Sequence, residues 1–147
     1  MGLLQVKAHA EIAEVWPRDG RIRLVGRIHG HPTGDAADAA GPWQLILTRR
    51  ARPDRRLAYD AGLKGDRFDS EFPVSDLVAS DYAPVEEWDI HLSDGDTELR
   101  AGRHLDDIRG KKKIFVFPEQ HVGNLGVRPY YTIKDNLSLE CRTGGSA

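Results

Sequence analysis

Apolar residues along this chain recur at every second position, in short runs separated by turn-forming residues. That period belongs to β-strands, whose successive side chains point to opposite faces of a sheet. From Val6 the alternation reads Val6, Ala8, Ala10, Ile12 and then changes phase at Ala13 and Val15, which predicts a strand carrying a bulge. After Trp16-Pro17, the turn Arg18-Asp19-Gly20 leads to Ile22, Leu24, Gly26 and Ile28, with Arg21, Arg23, Arg27 and His29 in the opposite phase. A hairpin with one wet face is expected there. Residues 30 to 42, rich in Gly, Pro, Ala and Asp, read as an irregular loop. Trp43, Leu45 and Leu47 resume the alternation, the arginine-rich run Arg49 to Arg56 reads as a polar hairpin tip, and Leu57 and Tyr59 mark the returning strand.

Further on, Phe68 and Phe72 flank Ser70 on one face, and Val74, Leu77 and Val78 suffice for one short helical turn. Trp88, Ile90 and Leu92 alternate with Asp89, His91 and Ser93, and Asp94-Gly95 is a strong hairpin signal before a short return from Thr97 to Ala101. Ile114 to Phe117 is apolar in both phases, as in a central strand covered on two sides. Glu119 to Gly126 reads as a loop, Val127 to Ile133 as a strand, and the Asp135-Asn136 turn leads to Leu137, Leu139 and Cys141. Roughly eight to ten short strands at turn spacing predict an all-β fold, an antiparallel immunoglobulin-like β-sandwich, with a closed β-barrel second. One domain is expected over residues 1–142, followed by a frayed tail, 143–147.

Composition narrows the function. A chain of 147 residues can form a single core without disulfides or metals, and a formal net charge of -2 argues against general binding to nucleic acid or a membrane surface. Any anion site must be local. Cys141 is the only cysteine, so an internal disulfide and a thiolate zinc site within one chain are excluded, and a reducing cytoplasm fits best. Met1 to Lys7 lacks the apolar core of a secretory signal, and no segment approaches the ~20 apolar residues of a spanning helix.

Candidate chemistry is sparse. His29 and His31 share a phase, but Gly30 and Pro32 end the strand and no third ligand is near, so no metal is expected. His9 and His91 fall on outward positions, and His104 and His121 in loops. Ser93-Asp94-Gly95-Asp96 resembles a calcium loop only loosely, lacking the further ligands and terminal Glu, and a tight turn accounts for it. The densest charge lies in Gly102 to Lys113, where Arg103, His104, Arg109, Lys111, Lys112 and Lys113 form a set suited to phosphate. Its spacing is not that of a P-loop, and a solvated loop guarding a strand edge explains the same residues. Trp43 and Trp88, in register with neighbouring leucines, are expected in the core. Trp16, Tyr130 and Tyr131 remain as candidate stacking faces for sugar rings, with the two adjacent tyrosines on opposite sides of their strand.

The order Trp88-Asp89-Ile90-His91-Leu92, Leu99 to Ile108, Lys112 to Pro118, Arg128-Pro129-Tyr130-Tyr131-Thr132 and Asn136-Leu137-Ser138-Leu139 resembles accessory β-domains of actinobacterial glycosyltransferases and CDP-glycerol glycerophosphotransferases. The resemblance covers roughly the last 60 residues. It implies a non-catalytic module linked to cell-surface polymer synthesis, since the large domain that binds nucleotide-sugar or CDP-polyol is missing from this sequence. The expectation is therefore a module without cofactor or metal that docks a transferase domain or holds an anionic glycan. A neutral carbohydrate-binding module, or a domain that oligomerises through a sheet edge, is the alternative.

Overall fold

The computed structural model of the chain describes residues 8–30, 42–103 and 117–143. There the alternating segments form ten strands: β1 (His9–Arg18), β2 (Arg21–His29), β3 (Gln44–Arg49), β4 (Arg56–Asp60), β5 (Arg67–Pro73), β6 (Val85–Ser93), β7 (Glu98–Arg103), β8 (Gln120–Val122), β9 (Leu125–Tyr131) and β10 (Leu137–Arg142). One 3₁₀ turn, Val74–Leu77, lies between β5 and β6, where a short helical turn was expected. Asp19 and Gly20, at φ 57 and 75, close the β1–β2 hairpin in the left-handed conformation that tight two-residue turns demand. The predicted bulge is the register shift in β1 between Ile12 and Glu14.

Two sheet halves pack face to face. The smaller runs β5-β2-β1, and the larger runs β4-β3-β6-β10-β9-β8. Strand β7 belongs to both: Glu98 pairs antiparallel with Ser93 of β6, whereas Ala101 to Arg103 pair parallel with Ala10 to Ile12 of β1. The pairing is otherwise antiparallel. One edge of β6 is consequently divided, with Val85 to Asp89 facing β10 and His91 to Ser93 facing β7. Among the described residues the sheet stays open between β5 and β8, so the closed barrel is not formed. Strand period cannot distinguish the two architectures, because closure depends on whether the terminal strands pair.

The inner faces make one core. Ile22, Leu24, Phe68 and Phe72 from the smaller sheet meet Leu45, Leu47, Trp88, Ile90, Leu92, Leu137, Leu139 and Cys141 from the larger. Each such side chain contributes roughly 1.5–3 kcal/mol on burial. Gly26 sets the closeness of the layers at the bulge: a Cβ there would lie 2.0 Å from the Glu11 carbonyl oxygen and 2.5 Å from the Phe68 ring.

Several expectations need correction. The loop expected at Glu119 to Gly126 contains strand β8, which turns at Gly123 (φ 60) into β9. Gln120 then locks this hairpin to the other sheet: its Oε1 accepts from Gly20 N–H at 2.6 Å and its Nε2 donates to the Arg21 carbonyl at 2.9 Å. The run at Arg49 is more than a polar tip, because Arg49 keeps the inward phase of Leu45 and Leu47 and is 2% exposed. Of the expected central strand, residues 114–116 lie outside the described residues, and Phe117 is not in a strand. Thr143 is tied through its N–H to the Pro84 carbonyl (3.0 Å) and through its hydroxyl to that of Ala83 (3.3 Å).

Candidate functional site

The outer face of the larger sheet carries a continuous lattice of charge. Register places Thr48, Asp89, Ser138 and Tyr130 in one row across β3, β6, β10 and β9, and Ile46, His91 and Arg100 in the next across β3, β6 and β7. Arg50, just past β3, reaches Glu87 at 2.5 Å and Asp89 at 2.7 Å. Arg100 meets Asp89 at 3.0 Å and Ser138 Oγ at 2.8 Å, and Tyr130 donates to Glu87. Arg128 and Arg142 converge on Glu140.

The same Arg100 donates to the backbone carbonyls of Ile90 (3.1 Å) and Leu137 (2.5 Å). Those two carbonyls lie where the edge of β6 passes from β10 to β7, so no strand partner serves them both, and the guanidinium fills the gap in the ladder. Burial pushes the Asp89 carboxyl up, but the Arg50 hydrogen bond, the Arg100 charge and Ser138 together hold it below the usual carboxylate range. Burial also lowers His91, aided by the Arg100 charge, so its imidazole favours the neutral form; its Nδ1 is buried without a hydrogen-bond partner among the described residues.

A second cluster pins the crossover between the 3₁₀ turn and β6. Arg49 donates to Glu86 (3.2 Å), to the Asp81 carboxylate (2.8 Å) and to the Asp81 carbonyl (3.2 Å), with its guanidinium 4.5 Å from the Tyr82 ring centroid. The Tyr82 hydroxyl donates to the Leu77 carbonyl and accepts from the Trp88 indole. Arg49 and the Ala83 N–H hold the Glu86 carboxyl below its ordinary value, and burial pushes the nearby Cys141 thiol up to about 12, far from reactive thiolate. Beside this cluster lies an open groove of about 490 Å³ between the crossover and the β8–β9 hairpin, lined by Val78, Ser80, Tyr82, Val122, Asn124 and Thr143 among others.

The outer face of the smaller sheet is built differently. Its ions form separate cross-strand pairs: Arg21 with Glu71 (3.0 Å), Arg23 forked onto Asp69 (2.8 and 2.6 Å) and Arg27 with Asp66 (3.2 Å). His9 stacks on His29 with ring centroids 5.0 Å apart, and His29 Nε2 lies 2.8 Å from Glu11. Trp16 stands on this face opposite Arg23, its indole N–H donating to Glu14 Oε1 at 2.8 Å.

Of the candidates named from sequence, those among the described residues are dispersed. His104, Arg109, Lys111, Lys112 and Lys113 lie outside the described residues, and Arg103 is placed by its backbone, paired with Ile12. Trp16 is 46% exposed on the smaller sheet, whereas Tyr130 is half-buried on the outer face of the larger. Tyr131 packs against the core, its ring 6.1 Å from that of Phe117. Trp43 and Trp88 are core residues, as expected. His91 points outward but is half-buried rather than freely solvated. Among the described residues no group of three or more His, Cys, Asp or Glu is placed to hold a metal, and no helix is long and apolar enough to cross a membrane. Sequence reasoning missed the lattice of Arg50, Asp89, Arg100 and Ser138. Its one signal was polar residues alternating with buried leucines in β6 and β10.

No protein-family model and no curated protein matches the chain. Solved structures share its fold. A crystal structure of residues 217–571 of Staphylococcus aureus TarS superposes with a TM-score of 0.65 at 14% identity, over 96% of this chain and 40% of that one. A crystal structure of S. aureus TarS gives 0.66 at 13% identity, over 94% of this chain and 25% of that one. The chain therefore spans under half of the length of either neighbour.

Proposed function

We propose that the chain is a non-catalytic, immunoglobulin-like accessory module of a cell-surface polymer transferase, docking the transferase domain or holding an anionic glycan such as a polyol phosphate. The observation that carries this reading is the superposition of nearly the whole chain on a minor part of TarS, a wall teichoic acid glycosyltransferase. Coverage of only 40% of that chain is compatible with a part that makes contacts rather than carrying out transfer. The contacts proposed here are Arg103, His104, Arg109, Lys111, Lys112 and Lys113, in the basic stretch of sequence from the end of β7 to Phe117.

The test is an amide-shift titration by NMR with a glycerol-phosphate oligomer at low and then moderate salt. Saturable shifts confined to residues 102–114 that weaken with salt, and are lost on replacing Arg103 and Arg109 with Ala, support the anion site. Silence up to about millimolar ligand removes the basic stretch from the account and leaves docking as the role.

A further inference from the structure

We infer that Trp16, with Glu14 and Arg23 beside it, is a contact site for a neutral hexose chain on the outer face of the smaller sheet. Trp16 is nearly half exposed, yet the Glu14 hydrogen bond fixes its ring. A hydrogen-bonded aromatic plane facing outward from the sheet suits the C–H face of a pyranose, and restraining it costs little further entropy. The polar groups needed at the ring's edge are present. Arg23 uses Nε and Nη2 on Asp69, leaving Nη1 without an acceptor among the described residues, and Glu14 receives the indole through Oε1 alone.

Charge and area decide the class of ligand. Arg21, Arg23 and Arg27 of β2 are each paired with a carboxylate, which weakens the pull of this face on a polyanion and favours a neutral ligand. Trp16 is also the one large exposed apolar residue on this face among the described residues, which is too little apolar surface for the buried centre of a stable protein interface. A hexose chain needs only one such plane with donors and acceptors around it. The inference rests on the reading of the chain as a carbohydrate-associated module, but it names none of the residues of the basic stretch.

Cellopentaose titrated into ¹⁵N-labelled protein provides the test, because the three indole N–H signals report separately and buried Trp43 and Trp88 serve as internal references. The Trp16 signal alone should move, saturating with a dissociation constant on the order of 1 mM and unchanged by added salt. Trp16→Phe should retain weaker binding, and Trp16→Ala should lose at least about tenfold. Glu14→Ala keeps the ring but frees it, so weakened binding there supports the pinned platform even if Trp16→Ala folds poorly. A motionless Trp16 signal up to about 10 mM cellopentaose overturns the site, as do shifts that persist in folded Trp16→Ala. Residues 102–114 should stay still throughout, which separates this outcome from that of the phosphate titration.

Discussion

The two outer faces of this sandwich carry similar numbers of arginines and carboxylates, but the charges do different work. On the larger sheet they interlock across five strands, and Arg100 also repairs the backbone ladder at the divided edge of β6. On the smaller sheet each of the β2 arginines Arg21, Arg23 and Arg27 meets one carboxylate across one strand pair, in water. Charge density on a strand therefore says little about its role until register shows whether the groups also serve the backbone. The first pattern is a structural fabric; the second leaves side chains available to a ligand.

Replacements should expose this asymmetry. The largest loss is expected for Arg100→Met, which removes the donor to two backbone carbonyls and leaves half-buried Asp89 with Arg50 as its one arginine partner, about 3 kcal/mol by chemical denaturation. Gly26→Ala should cost about 2 kcal/mol through overpacking against the Glu11 backbone and Phe68, showing that the smaller sheet draws its stability from beneath its face rather than from its ion pairs. Asp89→Asn should cost about 1 kcal/mol at neutral pH. Because the folded Asp89 carboxyl is held below its unfolded value of about 3.9, its stabilisation is complete above that pH and is lost as pH falls through the folded value. The variant should thus show a flatter acid limb in stability against pH. Arg23→Ala, in contrast, should leave the unfolding midpoint unmoved, since its pair with Asp69 is solvent-exposed. A clear destabilisation by Arg23→Ala would erase the distinction between the faces.

Much of the fold was legible because burial and period reinforce each other. The β1 bulge, the Asp19-Gly20 hairpin, the Phe68/Ser70/Phe72 face and the Trp88/Ile90/Leu92 strand all follow from local pattern. What escaped was non-local. Gln120 in a stretch of polar residues reads as loop until the β1–β2 turn, one hundred positions away, supplies its partners. Arg49 reads as a solvated tip until Asp81 and Glu86 arrive to neutralise it inside the protein. The lattice is invisible for the same reason, since Arg50, Asp89, Arg100 and Ser138 become neighbours only through register. Trp16 could be named from sequence as an unexplained aromatic, but its pinning by Glu14 needed the strand's geometry after the bulge.

The parallel junction of β1 with β7 also sets an order of events during synthesis. The β1–β2 hairpin can form as soon as its residues leave the ribosome, and β5 can join it after a modest wait. The other edge of β1 stays open until Ala101 to Arg103 have been made, about ninety residues later, and Gln120 follows later still. Throughout that interval the nascent chain displays an unpaired strand edge, the feature most prone to pair with the wrong neighbour. Folding of this sandwich is therefore gated by its second half, and its high proportion of distant contacts places it among slow-folding topologies.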